Sequence, residues 1–310
     1  MNRRVLVVTA LLVYLACTLP VFGVSLFTVE GGIESRSGGF TFPDGSVQLS
    51  AALPPCVPIT DIPTTILESG VYCLTEDLAT SITTGNAITL EANNITIDLN
   101  GWTLDGSGAG TATEATGIYG YQLNNITIRN GTIQGFHYGV HLDVDSDNYF
   151  ASLGNLIERI RASANTGAAF FTNGVGNVIR HNHIVNTGNS TISANYNAYG
   201  VASYGTNCEV MYNTINNTAA SNNGTAKAIY LMNAGYSIIE GNQISGLYSG
   251  LLNMYGIYLV SSHDVIVRGN SISSSYWGVF FDTEASGKYM DNLTEVQTAY
   301  TGGTPVGTND

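Results

Sequence analysis

Lysine is nearly absent from the sequence, and charged residues of either sign are scarce. Two of the 310 residues are lysines, Lys227 and Lys288, and charged residues make up 11% of the chain, against roughly 25% in ordinary soluble domains. Ten basic residues stand against 23 acidic ones, so the formal net charge is −13 at pH 7. Binding to nucleic acid is therefore excluded, because it needs clustered basic residues. Coiled coils are excluded as well, because stretches rich in Glu, Lys, Leu and Ala are missing.

Cysteine is also rare, with four in the chain, and their spacing matches no zinc site. Cys17 lies in an apolar N-terminal stretch, which leaves Cys56, Cys73 and Cys208 in the rest of the sequence. In an exported protein, the close pair Cys56 and Cys73 is expected to form a disulfide that staples a small N-terminal element. Cys208 then remains a free thiol.

The N-terminus has the pattern of an export signal. Residues 1–4 contain two arginines, and an almost wholly apolar run follows over residues 5–22. We predict a signal peptide over residues 1–23, cleaved after Gly23, and a secreted, periplasmic or cell-surface protein. The alternative is a retained membrane anchor, because the apolar run reaches Phe27 and approaches the length that spans a bilayer. Membrane association is expected only in that case.

Two further segments differ in composition from the central region. Residues 24–55 contain a predicted hairpin, in which Pro43-Asp44-Gly45 is the turn between two alternating strands. Residues 298–310 are rich in Gly and Thr and lack core-forming side chains, so we predict a flexible tail. The region 56–297 between them is predicted to be one domain.

A short motif recurs at intervals of roughly 22 to 31 residues within this domain. In each clear copy an Asn precedes an Ile by two positions, and a second apolar unit follows after a gap of variable length. The clear copies contain Asn182-His-Ile184, Asn213-Thr-Ile215, Asn242-Gln-Ile244 and Asn270-Ser-Ile272. The second units contain Gly200-Val201, Ala228-Ile229, Gly256-Ile257 and Gly278-Val279. Such a repeat predicts a solenoid, in which each coil buries its apolar side against the next.

Apolar and polar residues alternate within each copy, which is the period of a β-strand and not of a helix. Ile95 with Ile97 and Ile126 with Ile128 show this alternation. At a bend between short strands, Asn can bond the neighbouring backbone and tolerates left-handed dihedral angles. Copies stacked about 4.8 Å apart can bond one another, so the motif predicts an asparagine ladder inside a β-solenoid. In a weaker copy, Ile160 stands in place of Asn.

These copies resemble the right-handed parallel β-helix (pectin-lyase-like) superfamily, in particular its secreted PbH1-repeat, CASH-type members. The same proteins are resembled by the segment Asn94-Ile-Thr-Ile-Asp-Leu-Asn-Gly-Trp-Thr-Leu104. The superfamily includes pectate lyases, polygalacturonases and alginate epimerases. The resemblance covers residues 56–297. It implies an all-β fold, a right-handed parallel β-helix of about eight coils with an N-terminal cap. It also implies a polysaccharide as the partner.

The scarce charges recur at one position of the repeat, the outward residue that closes the first strand. In successive copies these residues are Asp98, Arg129, Glu158, Arg180, Met211, Glu240 and Arg268. Because their signs nearly alternate, the structural interpretation is a column of ion pairs between coils. The functional interpretation is an open groove in which one arginine is free to bind an acidic sugar.

Ionisable residues are densest between residues 137 and 183, and one hypothesis for this region is a calcium site. Asp143, Asp145 and Asp147 alternate as at the start of several calcium loops, and carboxylate oxygens suit Ca²⁺. The spacing excludes an EF-hand, because Asn148 and Gly154 stand where that motif needs Gly and Glu. A non-functional alternative is an acidic loop attracted to a nearby basic patch.

Two enzymatic hypotheses draw on the same region. A uronate lyase or epimerase needs a base, a cation for the carboxylate and a proton donor. The candidates are His141 or His183 as base, Arg161 or Arg180 as the cation, and Tyr138 as donor, with Glu158, Arg159 and His181 as further substrate contacts. A glycoside hydrolase would instead pair Asp143 or Asp145 with Glu158. The sequence lacks the Asp-Pro-His motif of alginate epimerases and the Arg-x-Pro-x-x-Arg motif of pectate lyases.

Tyrosine is abundant, with 18 in the chain, and many lie in or beside the variable gaps, where exposed rings can stack on sugars. Tyr230 and Tyr258 occupy equivalent positions of adjacent copies and are expected to stack on each other. We therefore predict a secreted carbohydrate-active β-helix, with polysaccharide lyase or uronate epimerase activity on an acidic polysaccharide. The alternative is a non-catalytic cell-surface or fibre-like carbohydrate-binding module.

Overall fold

The computed structural model describes residues 40–41, 47–48, 56–145 and 151–310, within two compact units, residues 1–53 and 54–310. In the first unit, β1 (Phe40–Thr41) pairs antiparallel with β2 (Val47–Gln48), as a hairpin requires. The predicted turn of this hairpin and the predicted signal peptide, residues 1–23, lie outside the described residues. In the described part, no helix has the length and apolar character needed to cross a bilayer.

Short strands make up most of the second unit, with one three-residue 3-10 helix, Ser107–Ala109, among its described residues. The first strands are β3 Val57–Ile59, β4 Thr64–Ile66, β5 Gly70–Leu74, β6 Leu78–Ala79, β7 Asn86–Leu90, β8 Ile95–Asp98, β9 Thr103–Asp105, β10 Thr116–Tyr121, β11 Thr127–Gln134 and β12 Tyr138–Asp143. Next come β13 Leu156–Ser163, β14 Ala168–Asn173, β15 Val178–Arg180, β16 His183–Gly188, β17 Ala198–Tyr204, β18 Glu209–Met211, β19 Thr214–Ala219, β20 Ala226–Met232, β21 Ile238–Glu240 and β22 Gln243–Ser245. The last are β23 Met254–Val260, β24 Val265–Arg268, β25 Ser271–Ser273, β26 Trp277–Phe281, β27 Gly287–Met290, β28 Leu293–Glu295, β29 Thr298–Thr301 and β30 Thr304–Pro305.

These strands form three parallel sheets that wrap around one axis. The first sheet has ten strands in the order β4-β7-β10-β12-β14-β17-β20-β23-β26-β29. The second sheet contains β3, β5, β8, β15, β18, β21, β24, β27 and β30, and the third contains β6, β9, β16, β19, β22, β25 and β28. The long strands β11 and β13 bend between the second and third sheets and belong to both. Each coil visits the three sheets in turn, so the predicted right-handed parallel β-helix is confirmed.

The core is built from identical positions of successive coils. Ile97, Ile128 and Ile157 are register partners in adjacent strands of the second sheet and are at most 1% exposed. Alternation sends their sequence neighbours outward, as the period of two predicts. Each apolar column is therefore shielded from water by the coils above and below it.

A ladder of asparagines runs along the bend between the second and third sheets. Its members are Asn182, Asn213, Asn242, Asn270 and Asn292, each at most 3% exposed. Each of the first four donates through Nδ2 to Oδ1 of the next, at 3.0, 3.0, 2.9 and 2.9 Å. The backbone N–H of Ile160, in the weaker copy, donates to Oδ1 of Asn182 at 2.9 Å. The predicted ladder is thus confirmed.

The sequence favoured a left-handed conformation for the asparagine at this bend, but the asparagine does not adopt it. The residue before it takes the positive φ angle, as in His181 (55°), Tyr212 (55°) and Gly241 (64°). Because that residue turns the corner, the following asparagine points its amide inward and buries it in the ladder.

The β-helix extends further at its C-terminal end than the sequence predicted, and the predicted N-terminal cap is continuous with it. Cys56 and Cys73 form the predicted disulfide, with Cα atoms 5.7 Å apart, but the strands of the predicted cap pair in parallel with the solenoid itself. Residues 298–310, predicted to be a flexible tail, form β29 and β30 instead, and Asn309 accepts a hydrogen bond from the backbone N–H of Asn292 at 3.4 Å. The preceding coil supplies the partners for these strands, which local composition does not reveal. The first sheet accordingly has ten strands, more than the eight coils expected.

Replacing Asn242 by Ala tests the ladder. The substitution removes the acceptor of two bonds from Asn213 and leaves buried donors unpaired, at about 1–3 kcal/mol for each. We expect the thermal midpoint, followed by circular dichroism, to fall by roughly 10 °C. The exposed Asn223 is the matched control, and Asn223→Ala should shift the midpoint by less than about 2 °C. Similar shifts for the two variants would contradict a ladder that stabilises the solenoid.

Candidate functional site

The predicted column of charges lies on the outer side of the second sheet and is occupied by ion pairs. Glu158 is 6% exposed, and its two carboxylate oxygens accept hydrogen bonds from Arg159 and Arg180. The other pairs join adjacent strands, Arg129 to Asp98 at 2.9 Å and Arg268 to Glu240 at 2.7 Å. The geometry therefore supports the structural interpretation of this column, because the charges neutralise one another.

A second group of predicted residues lies on the third sheet and at its bend. Arg161 and His183 are exposed register partners, with Nη1 of the arginine 3.0 Å from Nδ1 of the histidine. His181 occupies the bend position and stacks on Tyr212, with ring centroids 5.4 Å apart. None of these contacts involves the first sheet.

His141, Tyr138 and Asp143 lie on β12 of the first sheet. The structure therefore does not bring His141 together with Arg161, Arg180 or His183, because the three sheets face outward in different directions. It also separates Asp143 and Asp145 from Glu158, so these carboxylates do not form the pair that a glycoside hydrolase needs. Residues close in sequence are divided here because each coil of about 25 residues turns a corner between one sheet and the next.

The first sheet carries a continuous row of rings on its outer side. In most coils, two outward positions flank a small residue and a buried apolar residue of the second repeat unit, as Tyr255 and Tyr258 flank Gly256 and Ile257. On β17 the second position is Ala202, and the ring of Tyr204, two residues further on, lies in the row instead. We call this surface the aromatic face. Its members are Tyr119, Tyr138, His141, Phe171, Tyr199, Tyr204, Lys227, Tyr230, Tyr255, Tyr258, Trp277 and Phe280.

Rings on neighbouring strands of the aromatic face are in contact. Successive centroid distances are 5.5 Å for Tyr119–His141, 5.0 Å for His141–Phe171, 5.2 Å for Phe171–Tyr204, 5.8 Å for Tyr204–Tyr230, 5.7 Å for Tyr230–Tyr258 and 5.2 Å for Tyr258–Phe280. Tyr230 and Tyr258 are in contact, as predicted, but their rings are tilted by 44° and do not stack. Glycine recurs beside the rings because a Cβ on Gly139 or Gly200 would lie 2.6 Å from a backbone oxygen of the next coil.

His141 lies among rings near one end of the aromatic face. Its centroid is 5.0 Å from those of Tyr138 and Phe171, and its Nε2 is 3.8 Å from Oδ2 of Asp143. Burial lowers the pKa of His141, and the charge of Asp143 opposes this effect. Burial, followed by the neighbouring Tyr196, raises the pKa of Tyr138. A neutral imidazole and a protonated phenol therefore lie side by side at neutral pH.

His137 lies beneath this part of the face and is 4% exposed. Its Nε2 is 2.8 Å from the hydroxyl of Tyr196, and its Nδ1 is 3.2 Å from the hydroxyl of Thr166. Burial, followed by the charge of His141, lowers the pKa of His137 to about 4. The ring of His137 also contacts Tyr138 at 4.4 Å, so its hydrogen bonds help to hold that phenol in place.

Lys227 is the functional candidate that sequence reasoning missed. It is 7% exposed, and its Nζ lies 4.8 Å from the ring centroid of Tyr230 and 4.9 Å from that of Tyr199. Burial lowers the pKa of Lys227 to about 8. A signal was present in the sequence, because Lys227 precedes Ala228-Ile229 at the repeat position where other copies have Tyr199 and Tyr255.

The calcium hypothesis is only partly covered by the structure, since Asp147 lies outside the described residues. Asp145 accepts hydrogen bonds from Tyr121 and from Gln122, the latter at 3.0 Å, and Asp143 accepts one from Asn173 at 2.6 Å. Within residues 56–145 and 151–310 no three His, Cys, Asp or Glu side chains group as a metal site. A Ca²⁺ site at Asp143, Asp145 and Asp147 stays a prediction.

The lowered pKa of His137 predicts a loss of stability in acid. The unfolded state takes up a proton near pH 6.5 and the folded state only near pH 4, so stability is retained above pH 6.5 and falls as the pH drops from 6.5 to 4, by about 3 kcal/mol. We expect the thermal midpoint of His137→Gln to fall by fewer degrees over this pH range than the midpoint of the parent protein. His181→Gln, at an exposed bend, is the control and should keep the parent profile. Parallel profiles for all three proteins would show that His137 is not the acid-sensitive group.

No protein-family model and no curated protein sequence matches the chain. Among solved structures, the enzymatically active domain of tailspike protein 2 of bacteriophage CBA120 has a TM-score of 0.54 and 12% identity, over 89% of this chain and 50% of that one. An alginate lyase from Paenibacillus sp. has a TM-score of 0.45 and 14% identity, over 76% and 92% of the two chains. The Streptococcus pneumoniae surface adhesin PfbA has a TM-score of 0.35 and 13% identity, over 82% and 90%. The protein spans about half the length of the tailspike domain it matches, and with its three parallel sheets it has a right-handed parallel β-helix fold.

Proposed function

We propose that the protein is an exported carbohydrate-active β-helix that binds a polysaccharide chain along the aromatic face. The observation that carries the proposal is the unbroken contact of rings from Tyr119 on β10 to Phe280 on β26. These ends are six strand spacings apart, which corresponds to about 29 Å. A surface of this length suits an extended chain of several sugar units and not a single small molecule.

The chemistry of the aromatic face suits sugars. Half-buried rings offer flat apolar surfaces for the C–H faces of sugar rings, and tyrosine hydroxyls at their edges hydrogen-bond to sugar hydroxyls. Tyr121 and Gln122 with Asp145, and Tyr258 with Asp282, add polar groups beside the rings. Because neighbouring rings and strands hold these side chains in place, little conformational entropy is lost on binding.

Export is part of the proposal. The Cys56–Cys73 disulfide is of the kind that persists in oxidising compartments, and the apolar segment over residues 5–22 follows two arginines. The free Cys208 is fully buried, and burial raises its pKa to about 12. It is therefore protected from oxidation to an intermolecular disulfide.

A second candidate function is a polysaccharide lyase or uronate epimerase acting at His141, in place of simple binding. A neutral imidazole favours removal of the C5 proton of a uronic acid, and the adjacent Tyr138 keeps a proton that it can donate. Arg161 and Arg180 lie on the other sheets and are not part of this version of the site.

Binding is tested by removing one ring from the aromatic face. We expect Tyr230→Ala to weaken binding to polysaccharide roughly tenfold, since it opens the row at its centre and removes about 1.4 kcal/mol of contact energy. Retardation in native gels containing neutral and acidic polysaccharides measures the effect. Tyr236→Ala is the matched control, because Tyr236 is 67% exposed and lies off the first sheet, between β20 and β21. If no polysaccharide retards the parent protein, the proposed function is wrong.

Catalysis is tested by the ultraviolet absorbance of unsaturated uronides released from alginate or pectate, and by NMR analysis of uronate epimers. We expect His141→Ala to lower the rate at least 10²-fold, the usual size of a general-base contribution. Arg161→Ala, on the third sheet, should keep the parent rate. Loss of activity in Arg161→Ala alone would move the site to the third sheet, whereas no product from the parent protein would leave binding as the function.

A further inference from the structure

Lys227 is the only lysine or arginine that the described residues place on the aromatic face. It lies on β20, three strands from His141 on β12, a distance of about 14 Å along the face. The chain has one other lysine, Lys288, which is exposed on β27 of the second sheet. One of the two lysines of an acidic protein thus stands in the middle of the surface proposed to bind sugar.

The surroundings of Lys227 are aromatic. Its Nζ lies 4.9, 4.8 and 5.5 Å from the ring centroids of Tyr199, Tyr230 and Tyr258. The ion pairs among the described residues do not include Lys227. The carboxylate of Asp282 lies beyond Tyr258, whose hydroxyl donates to it at 2.7 Å. The ammonium is therefore held by rings and not by an opposite charge.

Packing alone does not explain a lysine at this position. A buried charge without an ionic partner costs stability, which cation–π contacts only partly offset. The register partners of Lys227 are Tyr199 and Tyr255, so an uncharged ring suits the same column. Burial lowers the pKa of Lys227 to about 8, which leaves most of the side chain protonated at pH 7.

We propose that Lys227 binds an anionic group, a carboxylate or a sulfate ester, of a polysaccharide lying along the aromatic face. This inference rests on the proposed function and names its substrate class. An anion that enters the cage of three tyrosines forms an ion pair in a medium of low dielectric constant, where the attraction is stronger than in water. The cage also selects for charge, because a neutral sugar leaves the ammonium without a partner.

Affinity electrophoresis with four proteins and three kinds of gel tests the proposal. The proteins are the parent and its variants Lys227→Met, Lys227→Arg and Lys288→Met, and the gels contain alginate, dextran sulfate or neutral dextran. Lys227→Met should weaken binding to the preferred anionic polymer at least tenfold, whereas Lys227→Arg should retain most of it. Lys288→Met is the matched control and should bind as the parent does. Preference for alginate identifies a carboxylate ligand, and preference for dextran sulfate identifies a sulfate.

Thermal melting separates a binding role from a structural one. If Lys227 serves binding, Lys227→Met should melt at the same temperature as the parent or higher, since methionine fills a similar volume without a buried charge. A lower melting point, together with unchanged binding to the anionic polymers, would overturn the proposal. So would equal retardation by neutral and anionic gels, in which case the proposed function would stand. Failure of the parent to bind any polymer would overturn both.

The pH dependence of binding gives an independent readout. The groups facing Lys227 are Tyr199 on β17, Tyr230 on its own strand, and Tyr255 and Tyr258 on β23, with Asp282 beyond them. Burial raises the pKa of all four tyrosines, and the hydrogen bond from Tyr258 lowers that of Asp282, so none of these groups changes charge near pH 8. Anion binding by the parent should decline as the pH rises from 7 to 9.5, while Lys227→Arg should hold it across this range. A parent profile that stays flat would contradict an ammonium anchor.

Discussion

Parallel stacking in register is the constraint on which the rest of this structure depends. Backbone hydrogen bonding places each residue about 4.8 Å from its counterpart in the next coil, so every position of the repeat becomes a column. Amides tolerate this spacing because they bond their own copies, as in the ladder from Asn182 to Asn292. Like charges do not tolerate it, because they repel. Charge is scarce in the sequence, and the pairs Arg129–Asp98 and Arg268–Glu240 show how alternating signs satisfy the constraint.

The same constraint produces the aromatic face and makes its exceptions informative. A ring repeated at one outward position forms a row along the axis, since each ring contacts the next. Lys227 replaces a ring in such a column, and the imidazole of His141 is a titratable ring in another. A repeat position normally holds whatever packs best against its own copy. A side chain that departs from this pattern, and that carries a titratable group into a half-buried site, is therefore a candidate for function.

Short-range pattern was enough to predict much of the fold. Three of the patterns used span only a few residues or one loop. They are the alternation around Ile95 and Ile97, the Asn two positions before each Ile, and the close pair Cys56 and Cys73. Their consequences, which are strands, a ladder and a disulfide, follow from local geometry. The C-terminal strands β29 and β30 were missed, because residues 298–310 find their hydrogen-bond partners only in the preceding coil.

The candidate site shows where sequence reasoning stops. Tyr138, His141 and Asp143 share one strand, so their proximity followed from the sequence. Arg161 and His183 are also near His141 in the sequence, but the bends of each coil place them on another sheet. Lys227 was overlooked because the rings around it come from three different coils. The sequence by itself determined that the chain stacks into columns, since that depends on a local period. Only the tertiary structure decided which columns lie on the same outer face of the solenoid, because that depends on where each coil turns its corners.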